Sequence, residues 1–387
     1  KEQEKEPEQK ETHKQEGGRV KMKSSNIRAE IYGVQLIQSY CEHNDLEKMK
    51  LKYNHLEDLK FTKKSKILNE QTNKNFEHLR FQDFNFNVAY VQEEEYRITS
   101  NYAPIKKLFY DWNTSQKVFR SINRVRFYHP EYPVFVDLSI VKTNRKHVNR
   151  TTNKKDPIPT ETIQEASVFT MPPVYEIELE LDNAKTKHFR DENKFQLYMT
   201  KIRHCIRLIL SGLQGTPYPI SYDEQEIALH EYMIRMYGDS WKESKNPYPF
   251  FVGPNSIPMQ LENVVSNRDQ LSSVPYIIND YSVTEKADGE RSLMYVNKTG
   301  KIYLITYGLK VLFTGAITKQ KNCFDSLLDG EFIMYGKENK RLFIYAAFDI
   351  YYFGGMQKDA HVRELPFMTN DESVLEDKTR LSLLHKF

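Results

Sequence analysis

The residues best equipped for chemistry lie in the run Glu285-Lys-Ala-Asp-Gly-Glu-Arg291. Asp-Gly is a strong turn signal, so Lys286 is expected on a turn between the strand-like segments YSVT and SLMYV. A lysine amine held there can attack the α-phosphate of a nucleoside triphosphate, expel pyrophosphate and keep the nucleotide as a phosphoramidate. The attack needs an unprotonated amine, so its pKa must fall from about 10.4 through burial or nearby positive charge. Arg291 and a divalent metal are the charges such a reaction would use, and both would also stabilise the phosphate in the transition state. The plainer alternative is a charged hairpin.

A second set of chemical groups lies on Val174-Tyr-Glu-Ile-Glu-Leu-Glu-Leu181. Side chains alternate along a strand, so Glu176, Glu178 and Glu180 share one face and Tyr175, Ile177, Leu179 and Leu181 the other. Carboxylates spaced about 7 Å apart repel one another unless water, cations or basic side chains offset them. Basic residues stand on other strand-like segments: Arg97, then Arg124 and Arg126 on one face of NRVRFY, then Lys142 at the end of VFVDLSIVK. Acidic and basic strand faces in one β-rich domain suit a closed barrel. Its lumen would hold Mg²⁺ or Mn²⁺ on the carboxylates and a polyphosphate on the guanidinium groups. An ordinary antiparallel strand with one wet face is the alternative.

The elements that must position these groups can be followed along the chain. Its 387 residues suggest two or three domains. The first sixteen residues are dominated by Lys, Glu and Gln and read as a mobile charged arm, 1–26. The missing initial methionine suggests an excised or processed piece. Residues 27–68 carry scattered apolar positions and read as helices and turns. Strand-like texture runs from about Asn75 to Leu181, and the apolar stripe at 195, 198, 202, 206 and 209 predicts a helix ending near Gly212 and Gly215. A further helix begins at Ser221, capped toward Glu224, and stops at Gly238. Four prolines in Lys245–Pro258 mark a linker, after which strands resume. The 25 Tyr and 22 Phe exclude a mostly disordered chain. No stretch reaches the roughly 18 apolar residues of a membrane span. The odd, scattered cysteines Cys41, Cys205 and Cys323 argue against a disulfide framework and for a reducing, cytoplasmic setting. With 56 basic and 53 acidic residues, net charge alone does not identify a nucleic-acid partner.

The Glu-x-Glu-x-Glu strand, with its basic neighbours, resembles the triphosphate tunnel metalloenzymes, specifically the RNA 5′-triphosphatase module of large-DNA-virus mRNA capping enzymes. That family pairs such a strand with a first strand bearing Glu-x-Glu. Here the candidate Asn75–Phe81 places Phe76 and His78 at those positions, and Glu77 reaches the same face only through a one-residue bulge. Lys286-x-Asp-Gly-x-Arg291, together with LLDGEF and FIYAAFDI, resembles the covalent nucleotidyltransferases, which include mRNA guanylyltransferases and ATP-dependent ligases. The resemblance implies Lys286 as nucleophile, Glu331 on the ribose, Phe348 stacked on the base and Arg291 on the sugar or phosphate. It makes Asp349 a lesser metal candidate. Thr306-Tyr307 stands where relatives carry Asp-Arg, leaving Tyr307 as another stacking candidate.

The order, tunnel first and nucleotidyltransferase second, points to mRNA capping. The implied fold class is α+β: a tunnel barrel with flanking helices over 27–244, a linker at 245–258, and the truncated N-terminal part of a guanylyltransferase on antiparallel sheets at 259–387. The implied partners are GTP, nascent RNA 5′ ends and RNA polymerase or a capping-enzyme small subunit, with no membrane; a viral factory or virion is the implied location if the source is viral. S-adenosylmethionine would enter only with a C-terminal methyltransferase. A nucleic-acid ligase or a non-catalytic scaffold for RNA ends or polymerase are the alternatives.

Overall fold

The computed structural model describes residues 25–52, 56–148, 155–187, 191–238, 241, 248–264, 276–277, 281–356, 360–369 and 378–387. The expected arm therefore falls outside the described residues apart from Ser25 and Asn26, as do the first residues of the linker. The chain forms two compact units, one of Lys1–Arg80 with Asn87–Thr186 and one of Phe81–Phe86 with Lys187–Phe387. The division thus lies upstream of the expected linker, and the two predicted helices belong to the same unit as the C-terminal strands.

The first unit begins with β1 (Ile27–Ile31), α1 (Val34–His43), α2 (Leu46–Lys52) and β2 (Leu59–Lys66). Two strands therefore occupy a stretch expected to hold only helices and turns. Their register with a later strand explains this: the alternating Leu59 and Phe61 are buried with Leu36, Tyr40, Leu46, Met49 and Ile105 in one core. Short strands β3 (Leu68–Asn69), β4 (Lys74–Asn75), β5 (Leu79–Phe81) and β6 (Phe86–Val88) come after β2, then β7 (Val91–Arg97) and α3 (Ala103–Tyr110). The long strands come next, β8 (Arg120–Tyr128) and β9 (Val134–Thr143), then β10 (Lys146–Val148), β11 (Lys155–Pro157), α4 (Ile163–Ala166), β12 (Val174–Leu181) and α5 (Asn183–Thr186).

Two three-stranded antiparallel sheets result, ordered β1-β2-β7 and β12-β9-β8. The expected closed barrel is not formed by the described residues. In the second sheet β8 and β12 each pair only with β9, so the sheet has two open edges. The expected first strand is also interrupted, because residues 76–78 between β4 and β5 are outside any strand.

In the second unit, α6 (Glu192–Gln214) is capped by Asp191, and Gly215 closes it in the left-handed conformation that glycine adopts without strain. Next comes α7 (Tyr222–Tyr237), whose Ser221 hydroxyl accepts the Glu224 N–H at 3.1 Å. Five strands then form one antiparallel sheet: β13 (Glu290–Val296), β14 (Lys301–Thr306), β15 (Val311–Ile317), β16 (Ser326–Tyr335) and β17 (Arg341–Tyr352), in the order β15-β14-β13-β16-β17. YSVT, expected as a strand before the lysine turn, is irregular: with no strand partner, Tyr281–Asp288 lies outside the sheet.

One face of this sheet packs on α7, burying Tyr232 and Met233 against Leu293, Tyr303 and Ile305. Each such side chain, fully buried, contributes roughly 1.5–3 kcal/mol. Polar ties fix the helix: the Tyr295 hydroxyl donates to Glu231 at 2.9 Å, and Arg235 pairs with Asp325 at 3.0 Å. The other face carries Leu328 and Ile350, covered by Leu383 of the last helix, α8 (Arg380–Lys386). Among the described residues no helix is long and apolar enough to cross a membrane.

Candidate active site

Antiparallel pairing of β13 with β16 sets Arg291 opposite Glu331 and Leu293 opposite Asp329. Alternation then puts Arg291, Asp329 and Glu331 on one face of the sheet. At the mouth of this pair of strands the Gly289 N–H donates to the Glu331 carboxylate at 3.1 Å, tying the lysine turn to β16. Gly289 has to be glycine, since a Cβ would stand 2.6 Å from the Phe332 carbonyl oxygen.

Lys286 is exposed, with 84% of its side chain accessible, and its ammonium pairs with Asp288. The expected depression of its pKa is not seen. The Asp288 carboxylate hydrogen-bonded to the amine raises the Lys286 pKa, and the same bond lowers that of Asp288. Physically, nothing desolvates the amine and its closest charged partner is an anion. The Lys286 amine is thus held as an ammonium.

Arg291 is held at all three of its nitrogens. Its Nε and Nη2 meet the two oxygens of Asp329 at 3.1 and 2.5 Å, and its Nη1 donates to the Pro254 carbonyl. Asp329 is completely buried and also accepts the Tyr351 hydroxyl at 2.7 Å. The guanidinium carbon lies 5.5 Å from the Phe251 ring centre and 5.8 Å from that of Phe348. Phe348 is 38% exposed. Tyr307 stands against Phe251 at 5.3 Å. A cavity of about 340 Å³ borders Arg291 and Tyr307, and its other lining residues include Glu290, Ser292, Thr306 and Phe332, which by strand alternation stand on the face opposite Asp329 and Glu331.

The structure thus gathers Lys286, Arg291, Glu331, Phe348 and Tyr307 around one end of the sheet. Asp349 is directed differently: its carboxylate is bound by Arg380 at 2.8 and 3.2 Å and anchors α8 to β17. Sequence reasoning missed Asp329, Tyr351 and Phe251. The signal for Asp329 was its parity with Glu331 in LLDGEF; for the other two there was none.

The second charged region is the β12-β9-β8 sheet of the first unit. In register, Glu176 faces Ser139 and Glu178 faces Asp137, while Arg124 and Arg126 stand on the far side of those same β9 residues. Arginines and glutamates therefore share a single sheet face, side by side and not opposed across a lumen. The pairs are Arg120–Glu176 at 2.7 Å, Arg124–Glu178 at 3.0 Å and Arg126–Glu180, with buried Asp137 bound by both Arg124 (3.1 Å) and Arg126 (2.7 Å). Hydrogen bonding from Arg126 holds the Asp137 carboxyl below its usual pKa, against the opposing cost of burial. Arg120 and Asp137 were missed, though the alternation of VFVDLSIVK carried the latter.

Three expected members are elsewhere. Lys142 lies on the opposite face by strand parity and donates to the Phe169 carbonyl at 2.8 Å. Arg97 belongs to β7 in the other sheet, level with Lys60. Glu77 sits in the break between β4 and β5, exposed. Among the described residues no group of three or more His, Cys, Asp or Glu is gathered for a metal ion. The three glutamates each bind an arginine, so as they stand they do not fit Mg²⁺ or Mn²⁺.

The family-model match includes the whole five-stranded sheet. Residues 251–368 match the family model described as mRNA capping enzyme, catalytic domain. The chain is also 28% identical over 167 residues to a protein named "Probable mRNA-capping enzyme" from Acanthamoeba polyphaga mimivirus. That match covers 43% of this chain and 12% of the mimiviral protein. The resemblance to large-DNA-virus capping enzymes read from the motifs is borne out by both.

Proposed function

We infer, from a segment 251–368 that belongs with the catalytic domains of mRNA capping enzymes, that the chain joins GMP to RNA 5′ ends through a lysyl-GMP intermediate at Lys286. The observation that carries this reading is the tie between the Lys286 turn and Glu331, formed by the β13–β16 register and the Gly289–Glu331 hydrogen bond. The Lys286 nitrogen attacks the α-phosphorus of GTP, the bond to the β-phosphate oxygen breaks, and pyrophosphate leaves. The amine must first lose its proton. The arriving triphosphate competes with the ammonium's present partner, Asp288, and the remaining donors of Arg291 are placed to meet the sugar or phosphate. Phe348 offers its ring to the base. In the second half-reaction a diphosphate RNA end displaces the lysine and takes the GMP.

The test is labelling with α-labelled GTP and, separately, ATP. An acid-labile adduct formed with GTP and not ATP supports guanylyl transfer. An adduct formed with ATP alone indicates a ligase, and absence of both favours a scaffold for RNA ends.

A finer part of the proposal concerns the ion-paired face of β8, β9 and β12. Arg120, Arg124 and Arg126 are anion-binding groups held by carboxylates, and a triphosphate-ended RNA can replace those carboxylates with phosphate oxygens. Its expected chemistry is hydrolysis before GMP transfer: water attacks the γ-phosphorus, the bond to the β-phosphate oxygen breaks, and inorganic phosphate leaves a diphosphate RNA end. The order of the two regions along the chain supports this, and the absent metal cluster supplies no step to it.

A further inference from the structure

The segment Phe250–Pro254 packs Phe251 and Val252 into the core of the sheet and α7, and its backbone contacts are unusually directed for a linker. The Tyr232 hydroxyl donates to the Phe250 carbonyl at 2.5 Å and accepts the Val252 N–H at 3.1 Å. Tyr232 itself is fully buried in α7. Two residues further on, the Pro254 carbonyl accepts from Arg291 Nη1. Between these anchors stands Gly253. A Cβ there would lie 2.6 Å from Asp329 Oδ2 and closer still to Arg291 Nη2. Gly253 has no positive φ, so its smallness is needed for space and not for backbone conformation.

Opposite the segment, Asp329 grips Arg291 through both oxygens and is itself held by Tyr351. Burial, together with the adjacent Asp329 carboxylate, pushes the Tyr351 hydroxyl far above the ordinary phenol range, so it remains a donor. The guanidinium of Arg291 is thus fixed at Nε, Nη1 and Nη2 and flanked by Phe251 and Phe348. Three of its five N–H groups are directed inward, which leaves two whose aim is set by this clamp.

We propose that Gly253, Pro254 and Tyr351 are positioning residues for nucleotidyl transfer: they lock the Arg291–Asp329 pair so that Arg291 presents its remaining donors to the nucleotide. Tyr232 sets the clamp by pinning the segment to α7. This rests on the reading that Lys286 forms the adduct. A displacement of about 1 Å in a group that meets a reacting phosphate can lower a rate by roughly 10²-fold.

The test measures single-turnover adduct formation with α-labelled GTP for the wild-type chain, Gly253→Ala, Tyr351→Phe and Tyr232→Phe, each with a thermal melt. A purely structural role would lower the fraction of protein that labels and leave the rate constant of the labelled fraction unchanged. A clamp lowers the rate constant itself. Gly253→Ala is expected to lower it by ~10- to 100-fold, Tyr351→Phe by ~10-fold and Tyr232→Phe by less, with folded spectra retained. If Gly253→Ala fails to fold, Tyr351→Phe, which keeps the ring's packing, carries the decision. Wild-type rate constants in Gly253→Ala and Tyr351→Phe overturn the clamp and leave the lysyl-adduct reading standing. No adduct in the wild type overturns that reading, and the clamp with it.

Discussion

Two regions of this chain set arginines against carboxylates, and they do so to different ends. In the five-stranded sheet the Arg291–Asp329 pair is built inward. Asp329 is fully buried, Tyr351 and the Pro254 carbonyl complete the network, and Lys286, the proposed nucleophile, stands outside it in solvent. In the β12-β9-β8 sheet the arginines and glutamates are themselves the exposed surface, with Asp137 and Ser139 of β9 buried beneath them. In the first region the ion pair is scaffold, and the proposed nucleotide-binding groups stand apart from it. In the second the same groups would have to be both scaffold and ligand, so binding must break pairs that already exist. Partly exposed pairs contribute only about 0–1 kcal/mol each, which makes such an exchange feasible.

The sharpest way to break the comparison is at the nucleophile. Lys286→Ala should abolish the GMP adduct completely while leaving the melting temperature nearly unchanged, because an exposed turn lysine contributes little packing. Undiminished labelling of that variant would move the nucleophile elsewhere.

The second region comes next in expected size. If its arginines bind a triphosphate, Arg126→Ala should slow γ-phosphate release from triphosphate-ended RNA by roughly 10²–10³-fold, the usual loss for one charge-stabilising donor. Glu178→Ala should instead raise release at low RNA concentration, since it frees Arg124 from a carboxylate that the phosphate must displace. Release that is indifferent to both substitutions, with and without Mn²⁺, would make this face a purely structural ladder.

Phe348 tests how far the first region's platform extends. One aromatic stack on a base is worth roughly 1–3 kcal/mol, so Phe348→Ala should weaken GTP binding by about one to two powers of ten. Titration of GTP against the variant decides between this ring and Tyr307. Unchanged affinity would leave Phe348 as a wall for Arg291 alone.

Local signals carried much of this. The alternation of VYEIELEL fixed both β12 and the shared face of its glutamates, and α7 begins and ends at the residues whose capping chemistry announced it. The same alternation, applied to β9, contained Asp137 and excluded Lys142 from the glutamate face. What could not be read was partnership between distant strands. Barrel closure, the strand character of YSVT and the grip of Arg380 on Asp349 depend on pairing across many residues, which leaves no local pattern in the chain. Tyr351 and Phe251 were illegible for a related reason: each looks like an ordinary core aromatic until the buried Asp329 and Arg291 are placed beside it.

The smallest expected effect bears on the protonation of the nucleophile. The groups that titrate before nucleotide binds govern the pH dependence of kcat/KM for adduct formation. The Asp288 carboxylate raises the Lys286 pKa, so the amine stays charged to higher pH than an unpartnered lysine. For a base that must be neutral to react, a raised pKa moves the rising limb of the profile toward alkali. Asp288→Asn removes the anion and keeps the shape, so the limb should move toward acid. Its position is the readout, because the height also falls if Asp288 contacts the nucleotide. Measuring kcat/KM for adduct formation between about pH 6 and 10 in both proteins checks this. A limb that stays in place would mean that Asp288 does not set the proton on Lys286, and that activation comes wholly from what the nucleotide brings with it.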